Sequence, residues 1–180
     1  MEATYTIKGD GAAGTSSTAV WNEYSYVYDQ TYHQAAQEMS RRFAFDRKTG
    51  ELTMCCGASV NGGKSVQQRG LVGYVFPIGT KQQTYQVFDT TLDKPVAFPF
   101  AGTATVRGIT ADTFTENVAP VQIATQAVPG SLVGTSASSV TLPEFYEIHL
   151  TCYYVDPALG RRLPQQEAGG QFEVAAHVVR

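Results

Sequence analysis

The sequence predicts a mainly β protein, built as a curved antiparallel sheet or a β-sandwich with at most one or two short helices. Segments rich in Val, Thr, Tyr and Phe alternate in polarity and are bounded by Gly, Pro, Asp and Asn, which is typical of strands separated by turns. The best helical pattern, from Tyr32 to Met39, is short and runs directly into the alternating segment Arg42-Phe43-Ala44-Phe45.

Eleven strands follow from the alternation and the turn residues. In chain order they are predicted at residues 3–8, 19–30, 38–46, 51–56, 66–76, 84–88, 98–107, 110–118, 140–155, 161–166 and 171–179. Residues 9–17 and 127–139 are rich in Gly, Ser and Thr and are predicted as loops. Pro95 and Pro99 indicate a rigid extended connection over residues 91–99.

Two turns share the pattern D-x-x-x-G, and they lie about 110 residues apart. They are Asp46-Arg47-Lys48-Thr49-Gly50 and Asp156-Pro157-Ala158-Leu159-Gly160. In both, the Asp side chain can accept hydrogen bonds from the turn backbone, and the closing Gly can take a positive φ. Because each turn follows a long aromatic strand, the sequence predicts one domain, residues 1–180, made of two similar meander halves at 1–92 and 93–180.

The strand predicted at 140–155 indicates one buried and one solvated face. Its even positions are mostly apolar, whereas its odd positions include Glu147, His149 and Thr151. The residues predicted to face the core are Leu142, Tyr146, Ile148, Leu150, Cys152 and Tyr154.

Composition excludes some classes of function. The net charge is −3, and the basic residues are single or paired, which argues against nucleic acid as a partner. The pairs Arg41-Arg42 and Arg161-Arg162 are interpreted as solvated strand faces. No stretch approaches the ~20 apolar residues of a membrane-spanning helix, and no signal peptide follows Met1, so anchoring or export segments are expected outside this sequence.

The three cysteines do not form a metal-binding pattern, and no metal site is predicted. In an oxidising compartment Cys55 and Cys56 could form a vicinal disulfide, or one of them could pair with Cys152. We slightly favour Cys56 with Cys152, because each is in phase with apolar residues of its predicted strand. In a reducing compartment all three could be small buried hydrophobic residues.

No catalytic motif is present, and the protein is predicted not to be an enzyme and to need no cofactor. His33, His149 and His177 are far apart in the chain, and a surface or structural role is expected for each. The carboxylates Asp112, Glu116 and Glu144 are not paired by their spacing.

Several short segments together resemble one family of proteins. In chain order they are Thr18-Ala19-Val20-Trp21-Asn22, Phe45-Asp46-Arg47-Lys48-Thr49-Gly50, Cys55-Cys56-Gly57, Gly70-Leu71, Phe76-Pro77-Ile78-Gly79-Thr80, Tyr85 through Phe88-Asp89-Thr90-Thr91, Val128-Pro129-Gly130-Ser131-Leu132 and Tyr154-Val155-Asp156-Pro157. In order and spacing they resemble the actinobacterial cell-envelope family labelled porin PorA, over residues 4–179.

This resemblance implies an extracytoplasmic domain on the periplasmic side of the envelope, anchored by membrane segments that flank it. Some members of the family are linked to traffic of trehalose mycolates or lipoglycans and to polar growth. The V-D-P-x-x-G hairpin also resembles, more weakly, that of lipoprotein-carrier domains, whose curved sheet holds acyl chains.

Three functions are weighed. The favoured one is binding of a lipid or glycolipid, with an aromatic and aliphatic lining. The candidate ligand-binding residues are Trp21, Val27, Phe43, Phe45, Met54, Phe114, Tyr146, Ile148 and Leu150. The second is a protein-interaction module for a membrane transporter or an elongation complex. The third, and the least favoured, is a hydrolase of envelope glycolipids, which would need His149 beside a carboxylate and a nucleophile.

Overall fold

The structure is a computed structural model that describes residues 2–31 and 33–164. Its strands are β1 (Glu2–Gly9), β2 (Thr18–Asp29), β3 (Gln34–Asp46), β4 (Leu52–Thr53), β5 (Ser59–Val60), β6 (Tyr85–Asp89), β7 (Lys94–Phe98), β8 (Phe100–Val106), β9 (Ile109–Val128), β10 (Val140–Asp156) and β11 (Arg161–Arg162). Within these ranges the one helical element is a 3₁₀ helix at Gly130–Val133. The prediction of a mainly β, antiparallel protein is confirmed.

The strands form three antiparallel sheets. Sheet A has the order β1-β2-β3-β4, with β5 also paired to β3; sheet B is the β6–β7 hairpin; sheet C has the order β11-β10-β9-β8. The predicted boundary between residues 92 and 93 falls in the turn of the β6–β7 hairpin. The strands predicted at 51–56 and 161–166 are two residues long in the structure, and the one predicted at 171–179 lies outside the described residues.

The helical pattern noted from Tyr32 to Met39 does not form a helix over its described residues, 33–39. From Gln34 onward these residues belong to β3 and pair with β2, with Ala35 opposite Tyr28 and Met39 opposite Ser25. One extra residue is absorbed between Val27 and Tyr28. The ladder to β2 satisfies the backbone of β3, and this tertiary pairing overrides the helix propensity of the two alanines.

Sheet C is dominated by the β9–β10 hairpin, whose β9 continues well beyond the predicted end at residue 118. Three register shifts interrupt the pairing, one of them between Ile148 and Thr151. Because of this irregularity, the prediction that the even-numbered residues of β10 form one buried apolar face is wrong. Leu150 is 61% exposed, whereas the odd-numbered Val155 is completely buried. A bulge changes the phase of side chains along the strand, which alternation cannot anticipate.

Residues 70–80, here called the central segment, run between the sheets. A strand was predicted at 66–76, but Gly70 and Gly73 have φ of +84° and +86°, which interrupts an extended strand. The segment instead makes isolated bridges on both sides. Leu71 pairs with Glu51, which lies between β3 and β4 of sheet A, and with Val87 of sheet B. Val75 pairs with Arg161 of sheet C.

The hydrophobic core is divided by this central segment. On one side Val72 packs with residues of sheet A, and half-buried Tyr74 and Val75 pack against the same cluster. On the other side Leu71 and Phe76 pack with residues of sheets B and C. The first cluster contains Ala19, Phe43, Phe45 and Val72. The second contains Leu71, Phe76, Tyr85, Val87, Phe98, Phe114 and Val155.

The two D-x-x-x-G turns hold the central segment from opposite sides. The Oδ1 of Asp46 accepts hydrogen bonds from the amides of the second and third residues after it, and Asp156 does the same. Gly50 and Gly160 have φ of +71° and +65°, so the predicted turn chemistry is confirmed. A Cβ on Gly50 would overlap the carbonyl oxygen of Val75, and one on Gly160 that of Phe76.

Candidate functional site

The candidate site lies on the face of sheet A that carries Trp21 and Phe43, here called the core face. The antiparallel register places cross-strand neighbours of this face in rows. The first row is Gly9, Trp21 and Phe43; the second is Ile7, Glu23 and Arg41; the third is Tyr5, Ser25 and Met39. The first row is covered by hydrophobic packing, whereas the second row contains two charged residues, Glu23 and Arg41.

The second row contains a buried polar group, here called the Glu23–Arg41 network. Arg41 is 4% exposed, and its Nη1 lies 3.9 Å from Glu23 Oε2. Its Nε donates a hydrogen bond of 2.8 Å to Gln68 Oε1. The hydroxyl of Tyr74, from the central segment, donates a hydrogen bond to Glu23 Oε1. The network therefore ties sheet A to the central segment by charge and hydrogen bonds.

Electrostatics keep the Arg41 guanidinium and the Tyr74 hydroxyl of this network protonated at neutral pH. Burial lowers the pKa of Arg41 to about 10, and the nearby Glu23 and Tyr74 oppose that shift, so the guanidinium stays charged. Burial, followed by the charge of Glu23, raises the pKa of Tyr74, so its hydroxyl stays a donor. The guanidinium carbon also lies 4.4 Å from the ring centroid of Phe43 and 5.1 Å from that of Phe88.

One group of the network has no partner. Arg41 Nη2 is buried and makes no hydrogen bond with any described residue. A buried donor without an acceptor costs free energy, and such groups often mark a bound water or ligand atom.

Beyond the network the core face becomes apolar and open to water. Tyr5, Ile7, Val27 and Met39, here called the apolar strip, share this face by register. Tyr5 is 65% exposed, Ile7 is also exposed, and Val27 and Met39 are half-buried. The strip continues the core face of sheet A past the point where the central segment stops covering it.

A second polar cluster lies on sheet C, around Glu116. Tyr146 donates a hydrogen bond of 2.8 Å to Asp89 Oδ2 at the end of β6. Burial, and then the charge of Asp89, raises the pKa of Glu116 to about 7, while Arg162 acts in the opposite direction. Arg162 stacks on Tyr153 at 3.6 Å from the ring centroid. This cluster is acidic, in contrast to the charge-paired network of sheet A.

The surface of the described residues carries small clefts, of which two adjoin the sheets. One of about 150 Å³ lies beside the second D-x-x-x-G turn, between that turn and the β8–β9 turn, and its lining includes Leu159 and Leu163. The other, of about 280 Å³, is open and is lined by polar and charged residues of β2, β3 and β5. Both are below the ~300 Å³ at which ordinary ligand pockets begin.

The structure brings together only some of the nine predicted ligand-binding residues. Trp21, Phe43 and Phe45 are in mutual contact, with 4.9 Å between the ring centroids of Trp21 and Phe45. Phe114 is buried in the other cluster, against Phe76. The remaining residues lie elsewhere: Val27 in the apolar strip, Tyr146 and half-buried Ile148 on β10, and Met54 and Leu150 exposed to solvent.

The disulfide differs from the pairing that we slightly favoured. Cys55 is bonded to Cys56, and Cys152 is not part of this bridge. The physical reason is that Cys56 does not continue a strand; it has φ of +60° in a turn after β4. Its carbonyl accepts a 2.7 Å hydrogen bond from Arg42 Nε, while Cys152 pairs with Thr115 in sheet C.

The Glu23–Arg41 network was missed from the sequence. Arg41-Arg42 was interpreted as a solvated pair, but a strand sends successive side chains to opposite faces, and only Arg42 reaches the outer face. The signal was the phase: Glu23 is in step with Trp21, and Arg41 with Phe43 and Phe45. A charged residue in an apolar phase predicts a buried partner.

No histidine of the described residues lines either of the two clefts. His149 lies 3.6 Å from Glu147, but its side chain is exposed on β10 and lines neither cleft. His177 lies outside the described residues. Among residues 2–31 and 33–164, no group of three or more His, Cys, Asp or Glu is arranged to hold a metal ion.

Fold and site together define a mainly β domain in which three antiparallel sheets surround a central segment and an open apolar strip adjoins a buried ion pair. The family model described as Porin PorA matches residues 1–176, and the chain belongs to this family. It is therefore a protein of the cell envelope. A comparison with curated proteins found no match. The described part of the chain contains no helix that is long and apolar enough to cross a membrane.

Proposed function

We propose that this domain binds a lipid or glycolipid, such as a trehalose mycolate, without catalysing a reaction, during assembly of an actinobacterial envelope. The observation that carries the proposal is the apolar strip. Exposed apolar side chains that are continuous with a core face are unfavourable in water, and they are retained where another apolar molecule covers them. An acyl chain is such a molecule.

The lipid would bind to an open surface of the domain. The two clefts are too small or too polar for a long acyl chain, and the core beside them is filled by packed aromatic rings. A chain lying along the strip would contact Tyr5, Ile7 and Met39 and would end at the Glu23–Arg41 network. Ser25, in the same row as Tyr5, offers a hydroxyl beside the path.

The proposed location is the extracytoplasmic side, with membrane anchors outside this chain. The Cys55–Cys56 disulfide supports this location, since disulfides persist in oxidising compartments. Membership of the envelope family supports it as well.

The test compares two tyrosines of the same sheet. Tyr5 points to the core face, whereas Tyr24 is exposed on the opposite face. Binding of pyrene-labelled palmitic acid and of trehalose monopalmitate should weaken about tenfold in Tyr5→Ser, because most of a large apolar contact is lost. Binding by Tyr24→Ser should stay within about twofold of the unsubstituted protein.

Native mass spectrometry of the purified protein adds an independent measurement, in which a co-purified lipid is expected. Equal affinities of the two tyrosine variants, or no binding of either probe by the unsubstituted protein, would contradict the proposal.

A second candidate, a protein-interaction module for a membrane transporter or an elongation complex, is favoured by one observation. β10 pairs with β11 only at Val155 and Asp156, so its outer edge from residue 140 to 154 carries no strand of the described chain. Open edges accept strands of other proteins. A photo-reactive residue at exposed position His149 should then form an adduct with an envelope protein in intact cells, and one at Ile78 should not. Lipid-only adducts at both positions would dismiss it.

A further inference from the structure

The β9–β10 hairpin has a charge pattern unlike the rest of the chain. Between Glu116 and Glu144 no Asp, Glu, Lys, Arg or His occurs, although charged residues make up 16% of the sequence. All the residues of this interval belong to the described hairpin, and they form the outer part of both strands together with the loop that joins them. Glu144 of β10 lies opposite Ala124, so the part of the hairpin beyond this pair, residues 125–143, is uncharged and is here called the tip.

The tip of this hairpin exposes apolar side chains. The 3₁₀ helix at Gly130–Val133 places Leu132 in solvent at 75% exposure, and Val133 beside it is also exposed. Ile123 is a further exposed apolar residue of the same uncharged interval. The remaining exposed residues of the tip are Ser, Thr, Ala, Gly, Gln and Pro.

Some backbone amides in the loop of the tip are paired within the loop itself. The amide of Leu132 donates to the Pro129 carbonyl at 3.0 Å. The amide and the hydroxyl of Thr135 both donate to the Gly130 carbonyl, at 3.0 and 3.3 Å. Each group that is paired internally lowers the cost of moving the loop from water to a less polar medium.

The hairpin is also placed to reach away from the body of the domain. β8 pairs with β9 only from Ile109 to Phe114, so beyond this point β9 and β10 form a two-stranded ribbon among the described residues. A two-stranded ribbon is marginal in water unless something covers a face. Because Tyr146 bonds to Asp89 of β6, the ribbon leaves the body of the domain beyond the Val121–Tyr146 pair, and β9 continues from there for seven residues, which at about 3.3 Å per residue is roughly 23 Å.

We propose that the uncharged tip of the β9–β10 hairpin inserts shallowly into the surface of a lipid bilayer, with Leu132 and Val133 entering the boundary between head groups and acyl chains. The partner is the lipid surface itself. No charge of the tip has to be desolvated, the exposed aliphatic side chains gain by leaving water, and the paired loop backbone permits the transfer. This inference goes beyond the binding of a single lipid on sheet A and does not depend on it.

The test is sedimentation of the protein with phosphatidylcholine vesicles that contain no protein. The variant Leu132→Ser/Val133→Ser should partition at least about tenfold more weakly, since two aliphatic contacts are lost. The matched control is Leu159→Ser. Leu159 is 62% exposed and lies in the second D-x-x-x-G turn, after the end of β10 that is remote from the tip, beside charged residues. This control should bind like the unsubstituted protein.

Two further readouts separate insertion from other modes of binding. Because the tip is uncharged and the whole protein carries −3, binding should change less than about twofold between about 0.05 and 0.5 M salt. In Leu132→Trp, vesicles should shift the tryptophan emission to the blue, and lipids brominated near the head group should quench it. The emission of Trp21, which the unsubstituted protein also contains, is subtracted from that of the variant.

Three results would overturn the proposal. They are no vesicle binding by the unsubstituted protein, equal loss in the tip variant and in Leu159→Ser, or binding to native membranes that disappears when their proteins are removed. The last result would assign the tip to a protein partner. Loss of pyrene-palmitate binding in Tyr5→Ser with normal vesicle sedimentation would leave this inference standing, so the two proposals fail separately.

Discussion

Sheets A and C each bury a glutamate one row beyond an aromatic pair, but they treat its charge differently. In sheet A the pair Trp21–Phe43 is followed by Glu23, which is met by Arg41 and by the Tyr74 hydroxyl. In sheet C the pair Phe114–Tyr153 is followed by Glu116, whose cross-strand neighbour is the uncharged Thr151. Equivalent positions in two sheets are thus stabilised in one case by pairing and in the other by neutralisation.

The difference reflects the cost of moving a charge out of water. A buried ion needs a partner of opposite charge, or its pKa shifts in the direction that favours the neutral form. Glu23 has the partner, and Glu116 has the shift, with a pKa of about 7. The comparison predicts opposite effects for the same substitution in the two sheets.

The largest effect is expected for Glu23→Gln. This change leaves the charged Arg41 buried without its counter-ion, and breaking a buried pair in this way costs about 3–5 kcal/mol. Urea unfolding at pH 7 measures it. The double variant Glu23→Gln/Arg41→Met should be more stable than Glu23→Gln alone, because the stranded charge is gone. A loss below about 1 kcal/mol in Glu23→Gln would mean that the pair is solvated.

The second prediction concerns the turns that join each sheet to the central segment. Gly50→Ala and Gly160→Ala should each cost about 2–4 kcal/mol, because the new Cβ adds an overlap with a carbonyl oxygen to the strain of a positive φ. Gly108→Ala is the matched control, since Gly108 has φ of +77° and nothing within 4 Å of a Cβ, and about 1 kcal/mol is expected. Equal costs at all three positions would contradict the proposed contact with the central segment.

The third prediction is a pH dependence that belongs to sheet C. The folded protein keeps the Glu116 proton up to a pKa of about 7, whereas the unfolded chain releases it near 4.5, the ordinary pKa of a glutamate. Between these values the folded state binds more protons, so the free energy of unfolding falls as the pH rises and levels off above pH 7. After allowance for partial solvation of the carboxyl group, the loss is about 1–2 kcal/mol.

Glu116→Gln should remove this slope. The variant should be more stable than the unsubstituted protein by about 1–2 kcal/mol at pH 8 and equal to it below pH 4.5, as measured by urea unfolding across the pH range. Destabilisation by Glu116→Gln at pH 8 would show that the ionised carboxylate, held by Arg162, is the favoured form, and the contrast with Glu23 would disappear.

The sequence predicted the parts of the fold that depend on local pattern. Alternation located most of the long strands, and Asp and Gly spacing predicted both turns, because these features depend on a few neighbouring residues. The helical candidate at 32–39 and the strand expected at 66–76 differ from the structure for a common reason. Both segments are decided by pairing with other parts of the chain, β2 in one case and Glu51, Val87 and Arg161 in the other, and a local pattern does not show such pairing.

The candidate site was less predictable than the fold. Aromatic residues were readily assigned to buried faces, but alternation does not tell a packed core from a ligand surface. Phe43 and Phe114 are buried in different clusters, while Tyr5 and Ile7, which lie in the open strip, were not selected. What separates the two groups is the position at which the central segment stops covering sheet A, and no residue of β1 encodes that position.

The smallest effect is expected at Leu150, where the bulge in sheet C changes which face is buried. With its side chain 61% exposed, Leu150→Ser should change the free energy of unfolding by no more than about 0.5 kcal/mol. Phe114→Ala in the same sheet should cost about 3–5 kcal/mol, since it empties a completely buried site. If β10 alternated without interruption, Leu150 would be in the core. Its substitution would then cost about 2 kcal/mol or more, as large-to-small changes in a core do. Urea unfolding of the two variants therefore decides whether the register shift between Ile148 and Thr151 exists in solution.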